Sequence, residues 1–325
     1  MARVLSGIQP TGDIHLGNYL GAVRQWVDDQ HTQDSFFCVV DLHAITVPRD
    51  PAELRAKTLE TTLGLVAAGL DPEVCTLFVQ SHVHQHPELS WILESVASMG
   101  ELRRMTQFKE KAKEGEESAR VALFTYPVLQ AADILLYDAD VVPVGKDQKQ
   151  HLEIARDIAI KMNEAYGGGQ ELLKLPEAEI AEEVAVVPGL DGRKMSKSYG
   201  NAIEIFGDEK MTRKRIMSIV TDSTPLEAPK DPEGSNIIAL YMMVAPPEEV
   251  RRMEEEHREG GVGYGDFKKR LFEAMWDYFA PMRARREEIL ARPGYVDEVL
   301  ADGARRAREI AGPTMERVKR AVGLM

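Results

Sequence analysis

Short apolar runs alternate with stretches of helical spacing through the first 188 residues. Residues 2–8 (ARVLSGI), 35–41 (SFFCVVD), 74–80 (VCTLFVQ) and 141–144 (VVPV) read as strands. Between them lie helical patterns. Residues 14–30 set Leu16, Leu20, Val23 and Val27 along one face. Residues 51–69 open on Pro51 and end near Gly69, as helices do. Further patterns cover 87–98, 100–113, 126–137 with Pro127 near the start, and about 147–165. Continuous apolar strands alternating with helices predict a parallel sheet with helices on both faces, an α/β fold. Ligands of such sheets bind beyond the carboxyl ends of the strands. After about residue 188 the pattern changes. Residues 189–201 (GLDGRKMSKSYGN) form a loop rich in glycine and lysine. Helical patterns then fill 208–220, 234–244, 247–258, 266–291, 295–311 and 313–322, which predicts a second, all-helical domain.

Composition narrows the class. The 325 residues are 44% hydrophobic and 29% charged, which excludes a wholly disordered chain. No apolar run approaches the ~18 residues of a membrane span. The first residues turn polar too soon for a signal peptide. Cys38 and Cys75 each sit in an apolar run, so buried thiols in a reducing cytoplasm are expected. A net charge of −13 argues against a general nucleic-acid coat protein. The charge is uneven, however: residues 251–325 carry +2 and residues 1–250 carry −15. The tail holds basic runs at Lys268–Arg270, Arg283 with Arg285 and Arg286, Arg305 and Arg306 with Arg308, and Arg317 with Lys319 and Arg320. Solvated helix faces are the common reading of such runs, and an RNA-facing stripe the sharper one.

Candidate chemistry begins at residues 7–18 (GIQPTGDIHLGN), which run from a strand through a turn into a helix start. Free backbone N–H groups and the positive end of a helix suit phosphate there. His15 and Asn18 share a helix face, and Gly17 allows close approach of a ligand. Lys194 and Lys197, three residues apart in the 189–201 loop, can clamp charge developing on a phosphate chain. Tyr126, Gln130 and Asp133 share another helical face. Asp133 lies among apolar neighbours, where a carboxylate needs a partner such as a substrate N–H or O–H. Gly145, Lys146, Asp147 and Gln148 follow the 141–144 strand; that position fits recognition of a ribose or an ammonium group by Asp147 and Gln148, and equally fits a polar turn that caps the next helix.

In this order, and across an intervening sheet, the segments resemble the signatures of class I aminoacyl-tRNA synthetases. Residues 15–18 (HLGN) are similar to the HIGH signature, with asparagine for the usual final histidine, a variation of the tryptophan branch. Residues 194–198 match KMSKS throughout. Residues 126–137 and 145–148 are similar to the tyrosyl and tryptophanyl subgroup. The Tyr126–Gln130–Asp133 spacing is also how tyrosine enzymes hold their amino acid, and many tryptophan enzymes have Met at the place of Gln130. Segments 6–12 (SGIQPTG), 17–22 (GNYLGA), 41–44 (DLHA), 106–111 (TQFKEK), 131–135 (AADIL) and 220–223 (VTDS) are of tryptophan type and favour that branch.

The resemblance implies a Rossmann-like catalytic domain over 1–188, with 293–325 folding back on it. It implies a KMSKS loop and a helical tRNA anticodon-binding domain over 189–292. The implied enzyme is a cytoplasmic homodimer that joins L-tryptophan to its tRNA with ATP and Mg²⁺, with no membrane or DNA partner. His15, Asn18, Lys194 and Lys197 are the implied catalytic residues. Gln9, Pro10, Thr11, Gly17, Asn18, Gly145, Lys146, Asp147, Val186 and Lys194, with Met195, Ser196, Lys197 and Ser198, are implied for ATP. Asp133, Tyr126, Gln148, Gln9 and His43 are implied for tryptophan. No carboxylate cluster marks a dedicated metal cage. A tyrosine enzyme of the same subgroup is the nearest alternative. An adenylating nucleotidyltransferase without tRNA is disfavoured by the basic helical part. A non-catalytic RNA-binding paralogue is disfavoured by two intact signatures.

Overall fold

The computed structural model describes residues 1–105, 120–144, 149–180 and 186–325. Strands β1 (Arg3–Ile8), β2 (Asp34–Val39), β3 (Thr76–Val79), β4 (Val141–Val144) and β5 (Glu177–Ile180) form one parallel sheet. Their order is β3-β2-β1-β4-β5. Strand order reverses between β1 and β4, which is where parallel sheets open a crevice for ligands. Neighbouring residues face opposite sides of the sheet. Phe37, Val39, Leu77 and Val79 join one core, and Leu5, Phe36, Cys38 and Phe78 the other. Both faces are covered, which is why the strands read as unbroken apolar runs. β5 (EAEI) escaped the sequence reading. It is the edge strand next to β4, and an edge strand needs no unbroken apolar run.

The expected helices are present with changed limits. Residues 14–30 contain α1 (Leu16–Asn18), a π-helical stretch (Tyr19–Val23) and α2 (Arg24–Asp29). A short α3 (Asp41–Ala44) follows β2, and α4 is Pro51–Ala68. Next come α5 (Gln85–Glu94) and α6 (Met99–Arg103). The expected helix over 100–113 is described only as far as α6, because 106–119 lie outside the described residues. The segment expected at 126–137 is α7 (Val121–Leu135), so Pro127 lies inside a helix and not near its start. The last helix of this part is α8 (Lys149–Tyr166).

Beyond the sheet lie α9 (Glu209–Met217), α10 (Asn236–Tyr241) and α11 (Pro247–Glu259). The helix expected over 266–291 is two, α12 (Tyr264–Tyr278) and α13 (Ala280–Leu290), with Pro281 in the first turn of the second. Conversely, the two expected at 295–311 and 313–322 are one. α14 (Tyr295–Ala321) runs through Pro313. Proline costs a helix one hydrogen bond. Here Ala304, Ala307, Ala311, Met315 and Val318 bury one face of α14 in the second core, and that packing outweighs the loss.

α14 lies against the edge strand β3. A Cβ at Gly303 would stand 1.8 Å from the Leu77 carbonyl oxygen, so only glycine permits this approach. Gly303→Val is therefore expected to lift α14 from the edge and cost about 2 kcal/mol or more, read as a lower denaturant midpoint.

The tail's basic runs are used largely in packing. Arg306 donates to Pro72 O at 2.7 Å and Arg308 to His82 O at 2.8 Å. Arg317 reaches Asp138 and Lys319 reaches Glu88, both at 2.7 Å. Arg305 and Arg320 pair along their own helix. Lys268 donates to Met217 O, Lys269 pairs with Asp266 and Arg270 with Glu256. Arg283 lies 3.6 Å from the Trp276 ring, and Arg286 bridges to Glu60 of α4 at 2.7 Å. Arg285 alone among them has no hydrogen bond or ion pair within the described residues. Most of these cations thus have partners within the protein, because the burial of neighbouring apolar faces sets the helices down where the cations meet carbonyls and carboxylates.

Candidate active site at the strand carboxyl ends

The β1 turn carries the first signature. His15 caps α1: its Nδ1 accepts the Asn18 backbone N–H at 3.2 Å, and Asn18 Oδ1 accepts the His15 N–H at 3.4 Å. Burial, and then the charge of Lys197, lower the His15 pKa to about 4. The ring is therefore neutral at pH 7. With Nδ1 accepting, its proton is on Nε2, which is left as a donor. A Cβ on Gly17 would stand 3.0 Å from His15 Nδ1 and 3.3 Å from Met195 Cβ, so the glycine lets ring and loop close together.

Folded His15 binds fewer protons than unfolded His15 between pH 6.5 and about 4. Its stabilising contribution is full above 6.5 and is lost as pH falls through that window. An NMR titration of the ring is expected to show a midpoint near 4, and a midpoint near 6.5 would contradict the buried cap.

The second signature folds as a hairpin beside the first. Pro188 and Lys194 pair as an antiparallel bridge, and Met195 N–H donates to Val187 O at 2.9 Å. Asn201 organises it: its Oδ1 accepts from Ser196 N–H at 2.8 Å and its amide donates to Asp191 at 2.7 Å. The Met195 side chain is buried in the core, so any contact it makes with a nucleotide is through its backbone. Lys197 Nζ donates to Thr11 O at 2.9 Å. The segment after the loop pairs with the first signature, His15 with Glu204, and Leu16 N–H donates to Ile203 O at 2.8 Å. Lys194 and Ser198 are exposed, as are Gln9, Thr11 and Val186. Pro10 is buried. Gly145, Lys146, Asp147 and Gln148 lie outside the described residues, as does the 106–111 segment.

A cavity of about 360 Å³ opens between β1 and β4. That is the size of a small-molecule site. Leu5, Cys38, Val40, Ile134, Val142 and Pro143 supply apolar walls, and Gln9, His43, Tyr126, Gln130, Asp133 and His151 the polar groups. Tyr126 Oη lies 2.7 Å from His151 Nε2, and burial raises the Tyr126 pKa to about 12. Asp133 is 4% exposed. Its partners are His43 Nε2 at 2.8 Å, His86 Nδ1 at 2.6 Å and Gln80 Nε2 at 2.7 and 2.9 Å. Burial alone would raise its pKa. The hydrogen bonds and charge of His43 and His86 outweigh burial and bring it down to about 2, so it is a carboxylate. The partner that its apolar surroundings demand is thus supplied first by the protein itself. Gln80 and His86 were not singled out in the sequence. Their signal was weak, a histidine-rich stretch at 82–86 following β3.

Residues 1–280 match the model of the family "tRNA synthetases class I (W and Y)". The chain belongs to that family of class I synthetases. A tryptophan–tRNA ligase of Rhodopirellula baltica is 49% identical over 99% of both chains. One from Campylobacter jejuni is 45% identical over 99% of this chain and all of its own. The crystal structure of the Campylobacter jejuni tryptophanyl-tRNA synthetase complexed with ADP and tryptophan superposes with a TM-score of 0.92, at 45% identity and 99% coverage of each chain. That from Mycoplasma pneumoniae gives 0.82 at 31% identity, covering all of this chain and 98% of its own.

Within this class I fold, both signatures meet beyond the carboxyl end of β1, beside the cavity that holds the Asp133 network. Among the described residues no group of three or more His, Cys, Asp or Glu is placed to hold a metal ion, and no helix is long and apolar enough to cross a membrane.

Proposed function

We propose that the protein activates L-tryptophan with ATP and transfers the activated acyl group to the tryptophan tRNA. The observation that carries this reading is an apolar cavity that ends on a buried carboxylate and opens beside the two signatures. A tryptophan carboxylate oxygen attacks the α-phosphorus of ATP, and pyrophosphate leaves. The terminal ribose hydroxyl of the tRNA then attacks the acyl carbon, and AMP leaves. Neutral His15 offers its Nε2–H to a phosphate oxygen. Lys197 and Lys194 neutralise charge that grows on the departing pyrophosphate. Asp133 accepts the indole N–H, Tyr126 with Gln148 holds the ammonium end, and Gln9 and His43 close the cavity around the amino acid. Gln9, Thr11, Gly17 and Asn18 with 145–147, Val186 and the backbone of 194–198 hold ATP. Mg²⁺, carried in on the triphosphate, would offset the charge of its oxygens.

A second copy of the chain and the tRNA complete the proposal. Trp91, Met99 and Val121 are exposed apolar residues on α5, α6 and α7, at 77%, 60% and 76%, and a homodimer would cover them. Residues 189–292 would meet the anticodon, with 293–325 belonging to the catalytic part. ATP–pyrophosphate exchange and tRNA charging, each with tryptophan and with tyrosine, test the reading. Exchange with tryptophan together with charging is expected. A preference for tyrosine would transfer the proposal to the tyrosyl branch, and exchange without charging would remove tRNA from it.

Of the arginines on α13, Arg285 is the one left for RNA. Arg285→Gln is expected to weaken charging and reduce its salt slope by about one, with exchange unchanged. Arg286→Ala, which breaks the bridge to Glu60, is expected to lower thermal stability instead. Equal losses in exchange and charging for Arg285→Gln would rule out its RNA role.

A further inference from the structure

We propose that His86 and Tyr137 are positioning residues that determine which oxygen of Asp133 faces the substrate. The inference rests on the reading of Asp133 as acceptor of the indole N–H and deepens it. His86 is fully buried, as is Tyr137. Neither lines the cavity. His86 Nδ1 lies 2.6 Å from Asp133 Oδ1, and its Nε2 lies 2.7 Å from Tyr137 Oη.

The polarity of this chain follows from its ends. A carboxylate only accepts, so His86 Nδ1 must carry hydrogen. The other ring nitrogen, Nε2, shares a hydrogen bond with Tyr137 Oη, and that second bond holds the ring where Nδ1–H meets the carboxylate. Packing holds both rings. Phe36 and Phe78 lie 5.1 and 5.7 Å from Tyr137, and Phe78 lies 5.8 Å from His86.

The two carboxylate oxygens therefore differ. Oδ1 is bound by His86 and Gln80, both behind the cavity wall. Oδ2 meets His43, which lines the cavity, as well as Gln80. Gln80 also accepts the Leu42 N–H at 3.1 Å, tying the carboxylate to the short helix that carries His43. The terminal torsion of aspartate is soft and roughly two-fold. His86 supplies a fixed donor that pins Oδ1 and so presents Oδ2. Without it Oδ1 keeps Gln80 as its donor, the carboxylate is held less firmly, and Oδ2 is presented less well to the substrate donor. A purely structural histidine would support both oxygens alike and leave selectivity untouched.

The test is ATP–pyrophosphate exchange with tryptophan and with 3-(benzothiophen-3-yl)alanine, in which sulfur replaces the indole N–H. kcat and KM are measured separately for the unchanged protein, His86→Leu, His86→Asn and Tyr137→Phe. In His86→Leu, the preference for tryptophan is expected to fall roughly tenfold or more, the worth of one hydrogen bond to a charged group. The fall should come from tryptophan's kcat/KM, with the analogue little changed. His86→Asn, whose amide can replace Nδ1–H, is expected to restore most of the preference. Tyr137→Phe should give a smaller fall of the same kind, and it removes only one atom if His86→Leu folds poorly. Equal losses for both substrates, an unchanged preference, or no recovery in His86→Asn overturns the inference. If the unchanged protein uses both substrates equally, the Asp133 reading falls and takes this one with it. A strong preference there that survives in His86→Leu overturns this inference alone.

Discussion

Lys197→Ala is expected to lower the turnover of ATP–pyrophosphate exchange by about a hundredfold or more, with tryptophan's KM changed only a few fold. Removing one preorganised donor from a developing oxyanion costs about that much. The Lys197 ammonium donates to Thr11 O across the two signatures, in a half-buried position. Burial lowers its pKa, the carboxylates of Asp13 and Glu204 work in the opposite sense, and Lys57 adds to the lowering. A cation already partly desolvated would meet pyrophosphate with less solvent to reorganise. On the proposed chemistry the contact would strengthen as the bond to the α-phosphorus breaks, so the loss is expected in kcat and not in substrate affinity. Steady-state exchange with tryptophan varied at saturating ATP separates the two. Turnover unchanged in Lys197→Ala would remove the residue from the chemistry.

Asp133→Ala is expected to be more severe for tryptophan than for phenylalanine. Sites built around a buried substrate hydrogen bond reject analogues that lack it by about 10⁴–10⁵-fold. The unchanged protein should reject phenylalanine on that scale, and the alanine variant should lose most of the difference. The substitution does more than delete an acceptor. It leaves the donors of His43, Gln80 and His86 unpaired in a dry site, so thermal stability should fall as well. Asp133→Asn keeps the volume and separates the two effects. Tyrosine is the demanding competitor, because its hydroxyl also donates. kcat/KM for the three amino acids in both variants is the measurement. Selectivity left intact by either substitution would make Asp133 a structural acid only.

The signatures at 15–18 and 194–198 were legible because glycine, histidine and lysine at fixed spacing have few cheaper uses at a strand–helix turn or in a loop. The four apolar strands were legible because a sheet covered on both faces leaves no polar alternation to confuse them. β5 was not, since an edge strand needs no apolar run. Pro313 misled because a local rule met a long-range packing surface that outweighs it. The partners of the basic runs were hidden for a similar reason, for an arginine that caps a carbonyl and one that faces solvent look the same in a sequence.

What the sequence determined by itself is local and periodic: strand and helix types, the order of the signatures, the acid at 133 on an apolar face. Each is encoded by residues within a few turns of one another. What only the tertiary structure decided is long-range. It brings Thr11 under Lys197, sets α14 on the edge of β3 and gathers His43, Gln80, His86 and Tyr137 around Asp133. Those partners come from four separate segments: α3, the turn after β3, α5 and the turn after α7. No spacing in the chain relates them, because their meeting depends on strand order and on which way the side chains of each element face.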